Sequence, residues 1–585
     1  MSGGVDMGKY SIEKNVQILI AILKGNNIRK VIVSPGTTNI SIVVSMINDG
    51  DFEMYSAIDE RGAAYIACGL ASESGEPVVI TCTGSTASRN YFPGLTEAFY
   101  RKLPILAITA SQDFVRDGNL SPQFIDRTQQ PKDSVKMSVQ VPIVRSTEDE
   151  YDATLKINRA VLELFHHGCG PVHINLASSY DNDFSVERLP TVRAIKRCTY
   201  INHEKYPTIP KADKIAIIVG NHRQFSNELT EAVDRFCEKY NAVVLVDHSS
   251  HYWGKYRVLP TIITCQESHE TSLFDIDLLI HIGEAHGDYY TDPKVKRAKE
   301  VWRISEDGEI RDTYGKLTYV FEMNEQYFFD YYTKKESSFS ERHEYRDAFL
   351  KEAKGIYDRV PKLPFSNIWI AQQIIPIFPS AACLELGVSN TMRSWTFFDF
   401  QQEVYTLANT GCRGIDGAIP TLLGMSLANP SKPHFAVMGD LTFFYSFNVL
   451  GNRHVGKNIR ILLINNGCGQ EFNIYSNRAY MIYDGDHDKI NEFIAAGHHT
   501  GTKSKLLVKH FAEDLGMKYM TASNKEEFLE LLPSFLDIDV QDTSVIFEVF
   551  TDMDDENEAL KLIRNTIIDK SVAIKGKIKG LLGRK

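Results

Sequence analysis

Short, continuously apolar runs rich in Val and Ile, each ending in Gly, Ser, Asn or Asp and followed by a helical pattern, constrain this chain most. Residues 31–33 run into Ser34-Pro35-Gly36, residues 78–81 into Cys82-Thr83-Gly84, and residues 105–109 into Ala110-Ser111. The pattern returns at 172–175, 215–219, 243–246, 278–282, 435–437, 461–464 and 545–549. Strands with no polar face, alternating with helices, belong to parallel sheets covered on both faces. The reading is α/β, with doubly wound parallel-sheet domains.

At 585 residues the chain exceeds what one core organises, and about 150 residues per domain suggests three or four domains. Two stretches suit domain connections: 181–210, with prolines at both ends, and 332–364, a charged helix closed by Pro361 and Pro364. The expected domains are 1–190, 205–335 and 365–551, followed by a helical basic tail over 552–585. No sequence repeat is visible. A net charge of −11 gives no electrostatic footprint for nucleic acid. The nine cysteines include no C-x-x-C pair, which argues for a reducing compartment and against structural zinc. The apolar stretch 16–23 is too short to span a bilayer, and the expected location is cytoplasmic. In the tail, Lys570, Lys575, Lys577, Lys579, Arg584 and Lys585 follow the last acid, Asp569, a pattern open to lipid contact but commoner in solvated chain ends.

The densest chemistry lies in the third expected domain. A strand at 435–437 ends at Met438-Gly439-Asp440-Leu441-Thr442, and 26 positions after Asp440 a second strand ends at Asn465-Asn466-Gly467-Cys468. Ligands of open parallel sheets bind beyond the carboxyl ends of the strands, so Asp440 and Asn466 can address one site. Hard oxygen ligands with a turn carbonyl suit Mg²⁺, which retains substrate phosphate oxygens in its octahedral shell. In the first domain, Asp59-Glu60-Arg61 precedes the small-residue helix Gly62-Ala63-Ala64-Tyr65-Ile66-Ala67, which can pack closely beneath a ligand. An isolated Glu there would read as a helix-start acid.

These motifs resemble the signature of thiamine-diphosphate enzymes. The resemblance makes Asp440, Asn466 and the Cys468 carbonyl the ligands of a Mg²⁺ ion on the cofactor diphosphate, within the stretch Gly439, Asp440, Leu441, Thr442. Glu60 resembles the glutamate whose hydrogen bond to the aminopyrimidine favours the tautomer that removes the thiazolium proton. Ser34-Pro35-Gly36, Cys82-Thr83-Gly84-Ser85-Thr86-Ala87 with Asn90 and Pro93, Gly170-Pro171-Val172-His173-Ile174-Asn175, and Gly439-Asp440-Leu441-Thr442-Phe443 narrow the resemblance to the 2-succinyl-5-enolpyruvyl-6-hydroxy-3-cyclohexene-1-carboxylate synthases of menaquinone biosynthesis. Members decarboxylate 2-oxoglutarate and add the succinyl carbanion equivalent to isochorismate. The resemblance assigns Ser389 and Arg393 to acidic substrate, Ile415 to support of the bent cofactor, and Gln123 to the active site. It also implies a homodimer or homotetramer, the first domain of one subunit facing the third of another.

Departures from the family pattern cluster around substrate. Thr37-Thr38 stands where the family has Ser-Arg, Ser111-Gln112-Asp113 where it has Asp-Arg-Pro, and Thr410 where it has Arg, with Arg413 nearby; Glu471 takes the place of an apolar pocket residue. Lost arginines and an added acid weaken the binding of a dianion. The expectation is a thiamine-diphosphate- and Mg²⁺-dependent 2-oxo acid decarboxylase and carboligase acting on an acceptor other than isochorismate, such as an aldehyde, ketone or sugar. The alternatives are the synthase itself and a non-ligating 2-oxo acid decarboxylase. His166-His167 and His498-His499 read as solvated or capping histidines.

Overall fold

The computed structural model describes residues 9–211, 214–333, 342–497, 499, 503–539 and 542–567. They form two compact units: one runs to Lys205 and includes Gly308–Glu322; the other holds Tyr206–Asp307 and the described residues from Met323 on. The expected α/β class is the observed one. All three sheets are parallel in every described pairing.

The first unit carries a six-stranded sheet in the order Glu53–Ser56, Lys30–Val33, Val78–Thr83, Ile105–Ser111, Val172–Ala177, Met137–Val141. Alternate residues feed two cores, as the two-residue period of a strand requires. Val31, Val79, Leu106 and Ile108 pack with helices Lys14–Gly25 and Thr147–Glu163; Ile32, Val78, Ile80 and Ala107 pack with helices Glu60–Ser74 and Phe92–Arg101. The small-residue helix does pack closely, but its near neighbour is a helix: a Cβ on Gly94 would stand 2.4 Å from the Ala64 Cβ. The supposed connection at 181–210 also holds a strand, Lys196–Thr199, which pairs with Leu317–Glu322 inside this unit.

The second unit carries the strands Arg257–Val258, Val243–Leu245, Ile215–Val219, Leu278–Ile282 and Glu300–Ser305 as consecutive parallel neighbours. It also carries a six-stranded sheet in the order Tyr405–Leu407, Cys383–Leu386, His434–Gly439, Ile459–Asn465, Val545–Phe550, Lys518–Ala522. Ala436, Met438, Ile461, Leu463 and Ile546 pack on one face of that sheet against helix Ala418–Ala428. The closing helix Met553–Arg564 begins with Asp552 accepting from the Asp554 and Asp555 amides and ends with Lys561 and Arg564, so charge follows its dipole. The basic cluster from Lys570 on lies outside the described residues, as does His498. Among the described residues no helix is long and apolar enough to cross a membrane.

Candidate active site

In the second unit, the loops beyond strands Cys383–Leu386, His434–Gly439 and Ile459–Asn465 enclose a cavity of about 170 Å³. Ser389, Ile415, Gly439, Asp440, Leu441, Thr442, Asn466 and Cys468 all line it. Asp440 opens helix Asp440–Ser446 directly from the strand, with no side-chain cap at Gly439. Its carboxyl is buried, and burial raises it to about 7 against the opposing hydrogen bonds from backbone amides, that of Gly467 among them. No cation among the described residues pairs with it. Gly467 sits at φ 79°, a left-handed turn open to glycine, and its amide also donates to the Asn465 Oδ1 at 3.1 Å. Asn465 is fixed from behind, its Nδ2 donating to Glu548 Oε1 at 2.7 Å while the Tyr519 hydroxyl donates to Oε2 at 2.7 Å.

This donor set fits a divalent cation carrying a diphosphate. A buried carboxyl without a countercharge, an amide oxygen and a main-chain carbonyl are hard oxygen donors. Burial pushes the Cys468 thiol up to about 12, so its sulfur stays protonated and its carbonyl is the donor that suits such an ion.

Ser389 lines the same cavity and Arg393 follows it on helix Asn390–Trp395, but their shared partner is internal. The Arg393 Nη2 donates to Glu471 Oε1 at 2.9 Å, and the Ser389 hydroxyl donates to Glu471 Oε2 at 2.9 Å. Nη1 lies 2.6 Å from Oε2, an ion-pair contact without hydrogen-bond geometry. The Tyr289 ring lies 4.6 Å from the Arg393 guanidinium and 4.5 Å from that of Arg413, and its hydroxyl accepts the Ser389 amide at 3.1 Å. Sequence reasoning flagged Ser389, Arg393 and Glu471 but not their pairing, and it missed Tyr289. A tyrosine pair, Tyr289-Tyr290, beyond the strand Leu278–Ile282 was the available signal.

In the first unit, Glu60 opens helix Glu60–Ser74, capped by Asp59, whose carboxylate accepts the Arg61 and Gly62 amides at 3.2 and 3.1 Å. Glu60 is half-buried and accepts from Asn90 Nδ2 at 3.1 Å. Gln123 lies elsewhere, at φ 71°, lining a cavity of about 250 Å³ with Thr38, Thr83, Gly84, Ser111 and Gln112. Behind that cavity the sequence reading missed a cation. Arg127 is buried, donates through Nη2 to the Ser111 hydroxyl, and leaves Nε and Nη1 without partners. Gly84 makes room for it, since a Cβ there would stand 2.0 Å from Nη1. A guanidinium thus remains beside Ser111 and Gly84, two residues of the cavity wall. The His166-His167 pair is also more structured than expected: His166 is buried, the rings stack at 3.8 Å, and His167 Nε2 lies 2.9 Å from Glu322 Oε1.

Two parallel-sheet domains with these loops define a thiamine pyrophosphate enzyme. Residues 14–137 match the thiamine pyrophosphate enzyme N-terminal TPP binding domain, and residues 387–548 match the C-terminal TPP binding domain. The chain is 30% identical over 588 residues to the 2-succinyl-5-enolpyruvyl-6-hydroxy-3-cyclohexene-1-carboxylate synthase of Phocaeicola vulgatus, covering 94% of this chain and 98% of that protein. The synthase of Bacteroides thetaiotaomicron is 30% identical over 577 residues, with 94% and 98% covered, and that of Flavobacterium johnsoniae 26% over 569, with 93% and 97% covered. The chain belongs to this synthase family, and thiamine diphosphate is its cofactor. The likeness favours the synthase alternative over the expectation of an acceptor other than isochorismate, which nothing in these comparisons supports.

Proposed function

We propose that this protein is a Mg²⁺-dependent 2-oxo acid decarboxylase and carboligase, and that the reaction its relatives are named for is the first to test. The observation that carries the reading is the meeting of Asp440, Asn466 and Cys468 on one cavity. Those groups would hold Mg²⁺ and orient the diphosphate, and Ile415 would brace the cofactor from the cavity wall. When bound, the cofactor supplies the electron sink for decarboxylation. Glu60 would keep a proton shared with it, the role of a positioned acid–base group. The working unit on this reading is a cytoplasmic homodimer or homotetramer. Nine thiols, all free, suit a reducing compartment.

Purified protein given thiamine diphosphate, Mg²⁺ and a panel of 2-oxo acids is expected to release CO₂ from at least one of them; a ligated product from 2-oxoglutarate and isochorismate, detected by mass spectrometry, would mark the synthase reaction. CO₂ with only a protonated aldehyde product would mark a simple decarboxylase; no turnover of any 2-oxo acid would overturn the reading. A second reading, ligation of different substrates, is favoured by one contact, the closure of Ser389 and Arg393 by Glu471.

A further inference from the structure

The Arg393 guanidinium is buried, whereas the Glu471 carboxylate that pairs with it is partly exposed on the cavity wall. Arg393 has a side-chain exposure of 7% and lies over the Tyr289 ring, whereas Glu471 has 30% and lines the cavity from the short helix Gln470–Asn473. Guanidinium and hydroxyl together form a carboxylate receptor, with donors aimed at two oxygens of one planar group. In this chain the receptor is filled from within. An incoming carboxylate meets a guanidinium already paired with an anion and the negative charge of that anion, whereas an uncharged group meets neither penalty.

We infer that Glu471 is a specificity-determining residue, an internal competitor for Arg393 and Ser389 that disfavours 2-oxo acids bearing a second carboxylate and favours those with an uncharged side chain. The inference rests on reading this cavity as the substrate side of the enzyme. A merely structural ion pair would hold the helix in place without changing which ligands bind.

The test uses the holoenzyme, loaded with thiamine diphosphate and Mg²⁺, and the unreactive dicarboxylate glutarate as probe in isothermal titration calorimetry. E471Q is expected to bind glutarate about tenfold tighter or more, roughly the worth of one charge-assisted hydrogen bond. Butyrate affinity should stay unchanged, and adding R393A should abolish the gain. The variant should also melt below the wild type and recover with glutarate, because its buried guanidinium has lost its anion. Equal or weaker glutarate binding by E471Q would overturn the inference. Should E471Q not fold, the wild type decides: a lower KM for 2-oxobutyrate than for 2-oxoglutarate supports the inference, and a tenfold lower KM for 2-oxoglutarate overturns it. Failure to turn over any 2-oxo acid would instead sink the proposed function, while the glutarate titration would still decide the role of Glu471.

Discussion

The two six-stranded sheets have one topology and opposite site chemistry. Each runs in the order second, first, third, fourth, sixth, fifth strand, and each has a cavity beyond the carboxyl ends of its first, third and fourth strands. In the first sheet those ends present Thr38, Thr83, Gly84, Ser111 and Gln112; in the other they present Ser389, Gly439, Asp440 and Asn466. Strand order fixes where a crevice forms, because successive connections leave in opposite directions where the order reverses. Loop residues then fix what it binds. Hydroxyls and amides above a buried guanidinium suit a polar or anionic organic group, whereas a buried carboxyl with an amide and a carbonyl suits a hard cation.

The largest effects should separate the two acids at helix starts. Asp440→Asn removes the ionic ligand, and cofactor with Mg²⁺ should no longer raise the melting temperature. In the wild type, saturation at a hundredfold over Kd adds about 2.7 kcal/mol, a shift of roughly 5–11 °C for a domain of about 150–250 residues. Glu60→Gln should keep that thermal shift and lose activity by about 10²–10⁴, the range for a positioned proton-transfer group. If both variants lost the shift alike, the division of labour between the two sheets would be wrong.

The next contrast lies inside the sheets. Both first strands bury their third residue, Ile32 beside Ile80 in one and Glu385 beside Ala436 in the other. Neither Glu385 carboxylate oxygen has a hydrogen-bond partner, and burial raises the carboxyl to about 8. An acid whose folded value exceeds its unfolded one binds its proton more tightly when folded. The protein therefore loses stability as pH rises from about 4.3 toward 8, at about 1.4 kcal/mol per unit. Glu385→Leu should melt higher than the wild type, with a gain that grows between pH 5 and pH 8. A gain constant across that range would show that the carboxyl does not titrate there.

Most of this architecture is legible in the sequence because the central strands are buried on both faces. The runs at 78–81, 105–109 and 461–464 carry no polar residue facing water, so their pattern survives without a partner. The strands that escaped are at edges or mixed in polarity, among them Glu53–Ser56, mostly exposed, and Lys518–Ala522, which mixes exposed and buried residues. The shared strand order was invisible as a repeat, since topology is kept by hydrophobic pattern and not by residue identity. That Asp440 and Asn466, each next to a strand end, share one cavity was legible from spacing. Arg127 and the Glu471 pairing were not, because each depends on which distant loop lies opposite.

The smallest effect concerns how each acid is aimed. Glu60 follows a capping aspartate, Asp59, that holds the Arg61 and Gly62 amides, whereas Asp440 follows Gly439 and gathers backbone amides on its own carboxyl. Asp59→Ala should therefore cost about 1 kcal/mol of stability, the usual value of a lost cap, read as a lower midpoint in urea unfolding. It should also lower activity modestly, because the first turn that carries Glu60 frays while the Asn90 contact remains. Gly439→Ser has no cap to lose and should leave the unfolding midpoint within about 0.5 kcal/mol, as its Cβ would meet open space. An unchanged midpoint in Asp59→Ala would mean that Asn90 alone sets the position of Glu60.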